Sequence, residues 1–327
     1  MPRPQNPRLS VVIPCFNEEE VLPLLRERLV GTLDRFGVAW ELVLVDDGSA
    51  DRTLEMLTEM HRQDPRCKVV GLSRNFGHQT AVSAGLWYAT GDAVAILDAD
   101  LQDPPDILGA CLERWREGYD VVFAVRQKRK EGILKRAAYK TFYRLLKTVA
   151  DIDIPLDSGD FCLLDRCVVK VLRNMPERNI FLRGMRAWAG FRQTGITYER
   201  NARAAGSPKY SFRKLVRLAL DGIFSFSTFP LRLATWFGVW IVGLCFLGVG
   251  FVLVWRLFHL RFMGRTAADV PGWAAGAVMV LFLGGVQLLI LGVLGEYLAR
   301  IYNEVKRRPR WVVSTALGVE GPPGQVE

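Results

Sequence analysis

The sequence predicts an α/β domain built on a mainly parallel sheet, followed by interfacial amphipathic helices and a two-helix transmembrane hairpin. Three observations lead there. Five β-branched runs alternate with amphipathic stretches between Leu9 and Val125, polar residues gather just after each run, and two unbroken apolar runs crowd the last hundred positions. Strands that alternate with helices form parallel sheets covered on both faces.

The expected strands are Leu9 to Ile13, Glu41 to Val45, Lys68 to Leu72, Ala93 to Leu97 and Val121 to Val125. Ligands of such sheets bind beyond the carboxyl ends of the strands, so the residues that follow each run carry the most information. Pro14 to Glu20 follows the first strand, Asp46-Asp47-Gly48-Ser49 the second, Ser73-Arg74-Asn75 the third and Asp98-Ala99-Asp100 the fourth.

Two basic amphipathic stretches come next, Ile133 to Val149 and Ser211 to Phe229. Helices of this kind beside spanning segments lie in the headgroup plane. Trp236 to Trp255 then runs 20 residues without Asp, Glu, Lys, Arg or His, and Gly272 to Gly295 runs 24 with only Gln287 polar. Each reaches the ~20 residues that cross ~30 Å of hydrocarbon as a helix. Arg213, Lys214, Arg217 and Arg232 precede the pair, and Arg300, Lys306, Arg307, Arg308 and Arg310 follow it, whereas the intervening loop holds Arg256, Arg261 and Arg265 with Asp269. The positive-inside rule then places both termini and the sheet domain in the cytoplasm. Met1 to Arg8 has no apolar signal core, and the tail from Ser314 is expected to be disordered. The expected boundaries are 1–210 for the sheet domain, 211–231 for the juxtamembrane helix, 232–300 for the hairpin and 301–327 for a basic tail.

The 327 residues are 50% hydrophobic, with 43 basic against 34 acidic side chains and a net charge of +9. This composition excludes a disordered chain. Much of the positive charge borders the spans, which favours anionic lipid over nucleic acid as a partner. Cys15, Cys67, Cys111, Cys162, Cys167 and Cys245 show no paired C-x-x-C spacing and read as reduced packing residues.

Asp98 and Asp100 end the fourth strand, and side chains two apart in an extended chain point the same way, so both carboxylates can face one hard cation. Asp46 and Asp47 converge on the same sheet edge. Four uncompensated carboxylates there would repel one another unless a divalent cation neutralised them. No G-x-G-x-x-G or G-x-x-x-x-G-K-[ST] follows the first strand, which argues against dinucleotide and P-loop sites. His61, His78 and His259 offer no Ser/His/Asp order, so hydrolase readings are poor.

V-V-I-P-C-F-N-E-E (Val11 to Glu19), V-D-D-G-S-A-D (Val45 to Asp51), S-R-N-F-G-H-Q (Ser73 to Gln79), D-A-D-L-Q-D-P-P (Asp98 to Pro105) and S-G-D-F (Ser158 to Phe161) occur in this order. From about Leu9 to Val305 the chain resembles the family 2 inverting glycosyltransferases of the GT-A fold. Within them it is similar to the polyisoprenyl-phosphate glycosyltransferases, the group of undecaprenyl-phosphate glucosyltransferase and dolichyl-phosphate mannose synthase. The resemblance implies that Pro14, Asn17 and Glu18 border the nucleotide, that Asp46 contacts base or ribose, and that Arg74, Asn75 and Gly77 close on it. It places Mg²⁺ or Mn²⁺ and the diphosphate on Asp98, Asp100 and Gln102, and makes Asp160 with Asp100 the catalytic carboxylates, Asp160 as base or orienter. Arg203 and Lys209 match residues that hold phosphate. Arg126 and Arg129 join them as candidates for the acceptor phosphate, Arg being suited to bidentate contact. Cys162 stands where bacterial relatives often carry Arg.

The expected activity is transfer of one sugar from a nucleotide-sugar, UDP-glucose first, to undecaprenyl or another polyprenyl phosphate. UDP is preferred to GDP, and glucose to galactose, N-acetylglucosamine and aminoarabinose. Expected partners are the donor, the lipid acceptor, membrane lipids and a second copy of the chain. A processive polysaccharide synthase would carry Q-x-x-R-W and more spans, and the string from Arg308 to Trp311 lacks that Gln. A non-catalytic scaffold would have lost the acidic set, which is intact.

Overall fold

A computed structural model of the chain describes residues 3–127, 158–178, 180–199, 229–258 and 272–320. The chain divides into two compact units. One joins Met1–Gly222 to Arg308–Glu327, and the other is Ile223–Arg307.

The first unit is an eight-stranded sheet in the order β7-β5-β6-β4-β1-β2-β3-β8. Strands β1 (Arg8–Cys15), β2 (Ala39–Asp46), β3 (Cys67–Leu72) and β4 (Ala93–Ile96) are parallel, and β5 (Val121–Gln127) pairs in parallel with β7 (Gln193–Glu199). These are the five strands the apolar runs predict, four of them extended by one to three residues and β4 shortened by one. β6 (Ser158–Asp165) runs antiparallel between β4 and β5. Helices α1 (Leu22–Arg35), α2 (Thr53–Gln63), α3 (His78–Tyr88), α4 (Ile107–Arg116), α5 (Arg166–Asn174) and α6 (Leu182–Trp188) complete the described part of the unit. β1 and β2 are buried at every position but the first, because helices cover both faces and every side chain must be apolar or paired. α3 lies so close to the sheet that a Cβ on Gly85 would meet Val12 Cγ1 at 2.2 Å, so a glycine there permits the contact.

Glu41 is a carboxylate inside this core, fully buried on β2. Its oxygens accept from Ser10 Oγ at 2.6 Å, Thr90 N at 2.7 Å and Thr90 Oγ1 at 2.9 Å, and pair with Lys68 Nζ at 2.8 Å and Arg8 Nη2 at 2.9 Å. One side chain thereby ties β1, β2, β3 and the turn before β4. Burial opposes its ionisation, but the Lys68 ammonium and the hydroxyl and amide donors overcome this and hold it at about 2.

The expectation of disorder from Ser314 fails for the described residues 314–320. β8 (Val313–Leu317) pairs antiparallel with β3, Ser73 N donates to Val312 O at 2.9 Å, and Ser314 Oγ donates to Gly71 O at 3.1 Å. Trp311 is buried with its ring 6.4 Å from that of Trp87, edge to face, and Arg310 Nη2 donates to Met175 O at 2.7 Å. The strand covers an edge of β3 that would otherwise expose unpaired backbone groups.

The second unit contributes α7 (Phe229–Leu257) and α8 (Gly272–Val305). At 1.5 Å per residue these are about 43 and 51 Å long, more than the ~30 Å of a bilayer core. Both run beyond the apolar stretches read from sequence, and in the added turns of α8 polar residues pair along the helix, as Glu296 does with Arg300 at 3.0 Å. Trp236, Phe246, Leu247 and Leu288 are all at least 66% exposed, an apolar surface suited to lipid rather than water. The amphipathic stretches 133–149 and 211–228 lie outside the described residues. Of the thiols described, Cys15, Cys67, Cys111 and Cys162 are buried and Cys167 is exposed, all free.

Glu41 generates a stability prediction. Its folded pKa of about 2 lies below the ordinary 4.5, so its contribution is complete above pH 4.5 and is lost as the pH falls towards 2. Linkage puts that contribution at about 3 kcal/mol. Glu41→Gln should therefore lower the melting temperature of the detergent-solubilised chain at pH 7 by several degrees and much less at pH 3, measured by tryptophan fluorescence.

Candidate active site

The parallel strands end at one edge, and the loops leaving them are laced together. Asn17 N donates to Ser49 Oγ at 3.0 Å, Ala50 N to Asn17 Oδ1 at 2.9 Å, Glu18 N to Thr53 Oγ1 at 2.9 Å and Arg52 N to Glu19 Oε2 at 3.1 Å. Pro14 is buried in β1 opposite Val45. Asn17 and Glu18, read as residues bordering a nucleotide, thus also join the β1 loop to the β2 loop. Asn17 has φ of +54°, a conformation asparagine tolerates well.

Asp46 and Asp47 are both buried, and the reading of four uncompensated carboxylates is corrected here. Asp46 accepts from Ser49 N at 3.3 Å. Asp47 accepts from Phe76 N at 2.8 Å and Gly77 N at 3.0 Å, which fixes the loop after β3. Burial raises the pKa of both, against these hydrogen bonds. Gly48, at φ +67°, lets that loop come close, since a Cβ would stand 2.3 Å from the Arg74 carbonyl carbon. Arg74 is exposed, with its guanidinium 4.2 Å from the Phe76 ring. Asn75 and Gly77 sit on the same loop, Gly77 at φ +99°.

β4 and β6 pair with Ile96 opposite Cys162, so continuing this register two residues brings Asp98 level with Asp160. The first turn of α3 reaches both. His78 Nε2 lies 3.0 Å from Asp98 Oδ1, and Gln79 Nε2 donates to Asp160 Oδ2 at 3.2 Å. Gln79 Oε1 accepts from Leu182 N at 3.1 Å, and Arg183 Nε donates to Asp160 Oδ1 at 2.8 Å. Burial works against ionisation of Asp160, but Arg183, with His78 and Arg186 behind it, outweighs that and holds its pKa below the usual carboxylate range. Desolvation lowers the His78 pKa, and its bond to Asp98 more than compensates, leaving it raised.

Asp100 Oδ1 accepts from Gln102 N at 3.2 Å across Leu101, whose φ of +54° is a strained conformation for a leucine. Buried Asp103 is fixed by the Tyr198 hydroxyl. Gln102 Oε1 is buried with no hydrogen-bond partner among the described residues. The Asp98 and Asp100 carboxylates and this unpartnered amide oxygen are hard oxygen donors of the kind Mg²⁺ or Mn²⁺ takes. A second acidic group, Asp120, Asp165 and Cys167, lies at the other end of the strands, where Arg3 pairs with both carboxylates. A cleft of about 640 Å³ between α1 and α2 contains none of the site residues.

Of the phosphate-binding candidates, Arg126 is placed by its backbone in β5 opposite Tyr198. Arg129, Arg203 and Lys209 lie outside the described residues. His78, Gln79 and Arg183 were given no role from sequence. The first two stand inside S-R-N-F-G-H-Q, and Arg183 carries no motif signal.

Residues 10–173 match the family described as Glycosyl transferase family 2. The chain belongs to glycosyltransferase family 2. This family 2 glycosyltransferase is 45% identical over 312 residues to the uncharacterized glycosyltransferase YkcC of Bacillus subtilis strain 168, covering 95% of this chain and 94% of that one. It is 39% identical over 309 residues to the bactoprenol glucosyl transferase of Shigella phage SfX, covering 94% and 99%. Among solved structures, residues 1–349 of Staphylococcus aureus TarS superpose with a TM-score of 0.42 at 20% identity, covering 67% of this chain and 66% of that one.

The Asp47 bonds generate a prediction for this glycosyltransferase. Asp47→Asn replaces one acceptor oxygen by an amide that faces a backbone N–H. It should cost about 1–3 kcal/mol and a few degrees in Tm. Because the same bonds fix the Arg74 loop, the donor KM should rise as well, read from initial rates at saturating acceptor.

Proposed function

We propose that this chain moves one sugar, with inversion, from a nucleotide-sugar, best UDP-glucose, to a polyprenyl phosphate such as undecaprenyl phosphate. The observation that carries this reading is the pairing of Asp98 and Asp160 at one sheet edge through adjacent residues of α3. An acid suited to a donor's metal-bound diphosphate stands beside an acid suited to orienting an acceptor. The 39% identity to a bactoprenol glucosyl transferase over nearly the full length of both chains supports the lipid acceptor and glucose.

The chemistry is consistent with these groups. Asp98, Asp100 and Gln102 would hold a divalent cation, which stabilises the charge developing on a departing nucleoside diphosphate. The phosphate monoester of the acceptor has a second pKa near ~6 and is already largely ionised at pH 7. Its oxygen attacks the anomeric carbon on the face opposite the leaving group, the bond to the diphosphate breaks, and the configuration inverts. A strong base is unnecessary, so Asp160, kept ionised by Arg183, orients rather than deprotonates. Lys209, Arg203, Arg129 and Arg126 are the remaining candidates for holding that phosphate.

α7 and α8 supply the membrane anchor in this reading. The sheet unit contains the chain on both sides of Ile223–Arg307, so the intervening helices would cross a bilayer an even number of times. Basic residues on both flanks favour the cytoplasmic side for that unit.

The test is to incubate purified protein with undecaprenyl phosphate and a panel of radiolabelled UDP- and GDP-sugars, and to resolve the lipid products. Label from UDP-glucose should enter a lipid-linked monosaccharide. Asp98→Asn and Asp100→Asn should each lose at least about a hundredfold in kcat while remaining folded, and EDTA should do the same to the wild type. Undiminished transfer in EDTA would remove the metal, and products longer than one sugar would favour a processive synthase.

A further inference from the structure

α6 carries two arginines three residues apart, Arg183 and Arg186, which meet β6 on one helical face. They differ in exposure. Arg183 is 28% exposed and bonds Asp160 Oδ1 at 2.8 Å. Arg186 is 3% exposed, lines the same small cavity as Cys162, and has its guanidinium 5.1 Å from the Phe123 ring. Its Nε and Nη2 have no hydrogen-bond partner among the described residues. Both arginines line a cavity of about 10 Å³ with Ile96, Asp160 and Cys162, room for about one water.

Two guanidinium groups therefore face one carboxylate. A buried cation without its own counter-ion is costly to keep, and the surplus positive charge strengthens any anion placed beside it. The cavity is too small to admit a phosphate to Arg186, so an incoming anion can reach only Arg183, from the exposed side. Gln79 does not need to move with it, because the Leu182 N–H fixes its amide oxygen while its amide nitrogen holds Asp160 Oδ2.

We propose that Arg183 is a further ligand of the acceptor's phosphate monoester, exchanging Asp160 for the incoming phosphate, and that Arg186 is the positioning residue that keeps Asp160 ionised and in place meanwhile. The inference rests on the polyprenyl-phosphate reading above. A phosphate monoester carries about −1.5 to −2 charge and three acceptor oxygens, so it competes well with one carboxylate oxygen for a guanidinium. Gln79 and the field of Arg186 then hold Asp160 after Arg183 has turned away. The exchange makes Asp160 available to the acceptor only when a phosphate is bound.

The experiment is calorimetric titration of the full chain in detergent with farnesyl phosphate, farnesol, inorganic phosphate, and whichever of UDP or GDP the wild type binds. Arg183→Ala should weaken farnesyl phosphate and inorganic phosphate at least tenfold and leave the nucleotide within twofold, and Arg183→Lys should recover part of the loss. Arg186→Gln should leave farnesyl phosphate within threefold and lower kcat at least tenfold, with Arg186→Lys rescuing turnover. Intact nucleotide binding shows that each variant is folded. The inference is overturned if Arg183→Ala leaves phosphate affinity within twofold, if it weakens the nucleotide equally, or if the wild type binds neither phosphate. Binding of inorganic phosphate that depends on Arg183, without preference for farnesyl phosphate over farnesol, would uphold the anion site and count against the lipid acceptor.

Discussion

Two hydrogen bonds to one carboxylate organise the active edge of this glycosyltransferase. Asp47 closes β2 and accepts from the amides of Phe76 and Gly77. Those amides belong to the loop that opens α3, and the next two residues are His78 and Gln79, which reach Asp98 and Asp160. The positions of Asp98 and Asp160 relative to the β3 loop thus follow from a bond made one strand away. A buried carboxylate meets the cost of desolvation here because its partners are backbone donors that the loop could not otherwise satisfy.

The acids of this domain divide by how fully their oxygens are used. Glu41 spends its oxygens on five neighbouring groups and sits at the end of the strands away from the loops. Asp120 and Asp165 are neutralised by Arg3. Asp98 remains partly exposed, and the strained Leu101 and the buried amide oxygen of Gln102 lie just beyond it. In the loop after β4 a strained leucine and an unpartnered amide oxygen stand side by side, as expected where binding rather than packing sets the conformation.

Much of this was legible in the sequence. The five parallel strands follow from unbroken apolar runs, and the position of Asp98 follows from its place after Ile96 and Leu97. What escaped has physical reasons. V-D-D-G-S-A-D looks like a ligand loop, yet Asp47 and Gly48 serve the approach of another loop, a contact between residues almost 30 apart. β8 is five residues of weak alternation whose only strong signal is its partner strand, far back in the chain. Arg183 and Arg186 lie in a seven-residue helix outside any motif, and only the packing of that helix brings them to Asp160.

β8 also bears on the order in which the protein is made. Synthesis runs from the N-terminus, and domains generally fold as they emerge. β3 leaves the ribosome early, but its partner at Val313–Leu317 follows about 240 residues later, after α7 and α8. Until then the β3 edge has its amide and carbonyl groups open, and the loop after it lacks the bond from Ser73 to Val312. The β3 edge of the sheet is completed only when the apolar helices have already been delivered, so a nascent chain holds an unfinished sheet for as long as its helix pair is still being translated.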